Sequence, residues 1–136
     1  MDKNISGAIS GALDPDSEEA DQHAEQYYES VRKMKDDYID ISKNTGISEK
    51  DILAIKNYLF VDKHEFLENE RFYHNYYISQ SWQRLISGKN IKKQDMIMIN
   101  HELMEIDLLN KGMTQNEAHI LASKKYNYKE ASDRGI

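Results

Sequence analysis

The chain has 136 residues, 24 acidic and 18 basic side chains, a net charge of -6 and no cysteine, and 39% of it is hydrophobic, including nine Tyr, three Phe and one Trp. That is enough for one hydrophobic core and too aromatic for a chain disordered throughout. The charge argues against a broad nucleic-acid groove or an anionic membrane surface as the main partner. The lack of cysteine excludes disulfide frameworks and thiolate chemistry, so any metal would need His and carboxylate ligands.

Residues 1 to 13 are small and Gly/Ser-rich, and read as a flexible arm or linker. Asp14 followed by Pro15 predicts an N-cap and first helical residue, opening one long helix that runs to about Asn44 and stops at Gly46. Its apolar positions Ala20, Ala24, Tyr27, Tyr28, Val31, Met34, Tyr38 and Ile41 advance by three or four, so one face packs. Ser48, with Asp51 three residues on, caps a short helix through Ile52, Ile55, Tyr58 and Leu59. Residues 66 to 75 read as a polar, irregular loop, and Tyr76 to Ile86 as a helix stopped by Gly88.

A helix from about Lys93 or Asp95 to Asn110 follows, and Thr114 with Glu117 forms a capping box for a last helix to about Tyr126. Residues 131 to 136 are expected to fray. No stretch alternates with period two and no hairpin dipeptide is present. The expectation is an all-α bundle of about five helices, a single domain over 14 to 130, built around a buried helix at about 94 to 110. No apolar run reaches the roughly 20 residues of a membrane span, and no signal-peptide core is visible.

The helix Asp95 to Leu109 is the most informative stretch. Met96, Ile99, Leu103 and Ile106 form one apolar sector and Ile97, Met104 and Leu108 a second, yet His101, Glu102 and Glu105 ride between them. Two carboxylates and an imidazole in a core need cationic partners, hydrogen bonds or a metal. His101 and Glu105 stand one turn apart on one face, and His119 on the next helix could join them if the helices form a hairpin around Gly112.

Three uses compete for these residues. A His101/Glu105/His119 site suits Zn²⁺ or Mn²⁺. Metal-free acid/base catalysis would draw on His64, His101, His119, Glu102 and Glu105, with Arg71 or Arg84 steadying a phosphate. The plainest is a buried ion-pair network with Arg84 or Arg71 that only fixes helix register. Trp82 beside Arg84 could stack a ligand but reads better as core, and the many Tyr suit half-buried helix faces. No phosphate loop, nucleophile elbow or paired Cys-x-x-Cys is present, which excludes kinase, serine-hydrolase and zinc-finger readings.

Taken together, Ile9-Ser-Gly-Ala-Leu-Asp-Pro15, His23-Ala-Glu-Gln-Tyr-Tyr28, Asn44-Thr-Gly46, Ser81-Trp-Gln-Arg-Leu-Ile86, His101-Glu-Leu-Met-Glu105, Glu117-Ala-His119 and Tyr126-Asn-Tyr128 resemble the C-terminal domain of phage minor head (head-morphogenesis) proteins of Gram-positive bacteria. They also resemble C-terminal modules of secreted polymorphic toxins. The resemblance implies an exchangeable effector, often a nuclease, carried on a larger trunk with residues 1 to 13 as the hinge. It implies a phage head component or a cognate immunity protein as partner, nucleic acid as substrate, no membrane, and a place in the bacterial cytoplasm or on the virion. The alternative is a non-catalytic docking module of the phage head. Where the family often has Asp-Pro after the Arg-Phe pair, Tyr73-His74 follows Arg71-Phe72 here.

Overall fold

A computed structural model describes residues 14 to 136, so the expected arm lies outside the described residues. Seven α-helices are present among the described residues: α1 (Glu18–Lys33), α2 (Asp37–Thr45), α3 (Glu49–Lys56), α4 (Tyr76–Ser87), α5 (Lys93–Asn110), α6 (Gln115–Lys125) and α7 (Tyr128–Arg134). They contain no strand, only an isolated antiparallel bridge between His64 and Glu70. No helix among them is long and apolar enough to cross a membrane.

Local chemistry places most of the boundaries. Ser48 accepts from the Asp51 N–H at 3.1 Å, Asn75 from that of Ile78 at 2.9 Å, and Thr114 from that of Glu117 at 3.2 Å, each satisfying a donor that the first helical turn leaves open. Gly46 and Gly88 close α2 and α4 in the left-handed conformation. At Gly88 a side chain would also run into the Asn44 amide, whose nitrogen donates to the Leu85 and Ile86 carbonyls at 2.8 and 3.0 Å and ties α2 to the end of α4.

The single first helix expected from the sequence is two. Residues 14 to 17 form a turn, the N-cap is Ser17, and the chain breaks again at Met34, which is extended. The cause lies far away in sequence: the Lys56 ammonium donates to the Met34 carbonyl and to Asp37 Oδ1, both at 2.7 Å, which holds the break open. Trp82 Nε1 donates to the other Asp37 oxygen at 3.1 Å.

Around this buried node α2 packs on α3 and α4, and α1 packs on α4. Trp82 is fully buried, as the sequence favoured, with Phe60 against it at 5.0 Å between ring centroids and Tyr28 against Phe60 at 4.5 Å. After α3 the helix widens into a π turn, Asn57–Val61, carrying Tyr58, Leu59 and Phe60 into the interior.

α5 packs against α3, α4, α6 and α7. Apart from Ile99 its apolar sectors are only half-buried; the residues it buries are Gln94, Asp95, Met98, Ile99, His101, Glu102 and Glu105. The all-round apolar pattern arises because Met96, Leu103, Ile106 and Leu109 pack at the margin of the core while the polar stripe faces inward. Of residues 131 to 136, expected to fray, the first four lie in α7, with Ala131 and Ser132 buried, and the Ile136 carbonyl accepts from the Gln94 N–H at 3.3 Å.

Candidate functional site

The inward stripe of α5 meets α6 across the turn at Gly112, and there His101, Glu105 and His119 converge. Glu105 is the hub. Its Oε1 lies 3.1 Å from His101 Nε2 and 3.0 Å from His119 Nδ1. Its Oε2 accepts from the Tyr58 hydroxyl in a short hydrogen bond and from Gln115 Nε2 at 3.4 Å. The other nitrogen of His101, Nδ1, lies 3.0 Å from the Tyr126 carbonyl at the end of α6. His101 and Glu105 are buried, whereas the His119 side chain is 54% exposed.

Glu102, one residue along from His101, lines a cleft of about 630 Å³, which His101 and His119 also line. The far wall comes from α4 and α7 and includes Asn75, Tyr77, Tyr128 and Ser132. Tyr128 is fixed by a 2.8 Å hydrogen bond with Ser81. Asp16, Asp133 and Lys129 supply the charge at the rim, with Lys129 engaged to Asp133 at 2.9 Å.

The two glutamates are driven apart. Burial, reinforced by the Glu105 charge and opposed by His101, pushes Glu102 up to about 8. For Glu105 burial works upward too, but hydrogen bonds from His101, Tyr58, His119 and Gln115 outweigh it and hold the carboxyl down at about 2. His101 is lowered by burial but raised more by its bond to Glu105, the Glu102 charge and the Tyr126 carbonyl, so it ends above the usual histidine range. Near neutrality the site therefore holds a protonated carboxyl beside an ionised one, a separation typical of acid/base pairs.

Of the residues expected at a site, the structure brings together His101, Glu102, Glu105 and His119. His64 stands one residue away, its Nε2 2.8 Å from the Tyr58 carbonyl and its ring between Phe66 and Phe72. Arg84 does not line the cleft but grips Asp95 with two hydrogen bonds of 2.8 Å, because Asp95 is fully buried and needs a cation. Arg71 lies elsewhere, donating to the Val61 carbonyl at 3.0 Å in a shallow groove with Arg32 and Glu70.

Sequence reasoning missed Tyr58, Gln115 and Tyr126. Tyr58 had been counted as one more apolar position of a short helix, and only the π turn aims its hydroxyl at Glu105. Gln115 sits inside the capping-box pattern, and the Tyr126 contribution is a backbone carbonyl, which leaves no mark on sequence.

Compared with protein-family models, with curated proteins and with solved structures, the chain matches none.

Proposed function

We propose that this is a toxin-like or phage-derived effector domain that cleaves phosphodiesters of nucleic acid by acid/base chemistry at His101, Glu102, Glu105 and His119. The observation that carries the reading is the convergence on one buried carboxylate of two imidazoles that line a roomy cleft. The resemblance to polymorphic-toxin modules supplies the substrate class.

The chemistry follows from the hydrogen bonds. Glu105 accepts the Nδ1 proton of His119, which orients the ring and leaves Nε2 as a base. That nitrogen removes a proton from the attacking water or hydroxyl while its oxygen bonds to phosphorus. The bond from phosphorus to the leaving oxygen breaks, and the protonated Glu102 donates to that oxygen. Exchange with water returns the proton from His119 and restores Glu102.

Neither Arg71 nor Arg84 is available to the phosphate. With Asp16 and Asp133 at the rim, the phosphate is held by hydrogen-bond donors such as Asn75 and Tyr77, with Lys129 as the cation of the cleft lining. This differs from the broad basic grooves that dominate nucleic-acid affinity and fits a single strand or an end better than a long duplex.

A second reading, a non-catalytic docking module, rests on the exposed Ile120 and Leu121 of α6, which with Met113 line an apolar depression. The test is cleavage of end-labelled single-stranded RNA and DNA by the purified chain. The catalytic reading expects strand scission that falls about 100-fold or more in His119→Ala and in Glu102→Gln, with circular dichroism unchanged. Wild-type protein that leaves both substrates intact contradicts it and favours docking.

A further inference from the structure

We infer that the His101, Glu105 and His119 cluster binds one divalent transition-metal ion, zinc being the best match, through His101 Nε2, Glu105 Oε1 and His119 Nδ1. This deepens the proposed function, resting on the same centre, and converts His119 from base to ligand.

Four observations support it. Candidate ligand atoms of the three residues all lie within 4.8 Å of one another, with the carboxylate oxygen 3.1 and 3.0 Å from the two imidazole nitrogens. A tetrahedral zinc ion with ligand distances of about 2.0 to 2.2 Å sets its ligand atoms roughly 3.3 to 3.5 Å apart. Two edges of the site therefore need to open by only about 0.3 Å, and the third closes by rotation of His119, the exposed member.

The tautomer is already set. A backbone carbonyl can only accept, so the 3.0 Å contact with Tyr126 places a proton on His101 Nδ1 and leaves Nε2 as the nitrogen that meets Glu105. A metal ion shared by Nε2 and Oε1 takes the place of the proton that Nε2 donates to Glu105 in the metal-free chain. Donation of the second ring N–H to a carbonyl is the usual support for a metal-bound histidine.

Glu105 is oriented in the same sense. Tyr58 and Gln115 both donate to Oε2, which leaves Oε1 to the histidines. The π turn that delivers Tyr58 is an irregularity often found at functional sites. Finally, the donor set suits the ion: two imidazoles and one carboxylate, with the cleft beside them for a fourth ligand, is a catalytic rather than structural zinc arrangement.

The test uses the full chain without a polyhistidine tag, stripped with chelator, dialysed and titrated with zinc chloride by calorimetry, with elemental analysis for stoichiometry. The expected result is one zinc per chain, proton release on binding, and a melting temperature that rises with zinc concentration. His119→Ala, at an exposed position, should weaken binding more than about 100-fold, beyond the usual effect of losing a supporting group. His74→Ala should leave binding unchanged. Absence of binding by the wild type, or a His119→Ala variant that binds as tightly, overturns the inference. Stoichiometric zinc in a chain that cleaves no nucleic acid keeps the metal site and removes the nuclease reading. Cleavage that survives complete zinc removal overturns a part for the metal in the reaction and keeps metal-free catalysis.

Discussion

Asp37→Ala should cost about 3 to 5 kcal/mol of stability, the range for breaking one side of a buried ion pair. Asp37 is 4% exposed and Lys56 5% exposed, and the pair closes at 2.7 Å. Removing the carboxylate leaves the ammonium buried with the Met34 carbonyl as its remaining acceptor, and leaves the Trp82 indole N–H without its Asp37 acceptor. It also removes a contact in the first turn of α2, where Asp37 accepts from the Tyr38 N–H at 2.9 Å. In thermal denaturation the midpoint should fall by roughly 10 to 20 °C for a domain of this size. A drop within a degree or two of wild type would mean that the α1–α2 break does not depend on this node.

Arg84→Met is the second large effect, and it separates two roles that the sequence could not. Asp95 is completely buried, and without the guanidinium it keeps the Lys92 N–H at 2.8 Å but no cation hydrogen-bonded to it. The expected loss is again about 3 to 5 kcal/mol, read by urea denaturation. Because Arg84 does not line the cleft, the folded fraction at low temperature should keep wild-type cleavage per folded molecule. An unchanged unfolding curve together with lost activity would instead place Arg84 at the phosphate, as the sequence had suggested.

What was legible in the sequence was local. Caps at Ser48 and Thr114, stops at Gly46 and Gly88, and the span of α5 all depend on residues within one turn of each other. The all-α class follows from the same periodicity. His101, Glu105 and His119 were also legible, because helical spacing joins the first two and a short turn at Gly112 folds the third back onto them.

Long-range chemistry was not. The break at Met34 is held by Lys56, 22 positions later, and nothing near Met34 announces it. α7 has seven residues and little apolar content, too short to declare itself by periodicity; its burial comes from packing on α5. Arg84 and Arg71 are equally plausible phosphate ligands in one dimension, and only the fold shows that a buried Asp95 claims the first and the carbonyl of Val61, at the end of the π turn, engages the second. The inward polar face of α5 was masked by apolar residues that turn out to be half-buried.

The measurement that tests the central claim most directly is inducible expression in the bacterial cytosol of the wild type beside His119→Ala and Glu105→Ala. Growth and total RNA and DNA integrity are scored at matched soluble protein levels. The account predicts growth arrest with nucleic-acid loss for the wild type and normal growth for His119→Ala, whose exposed position spares the fold. Equal, harmless expression of all three would contradict an effector nuclease centred on Glu105.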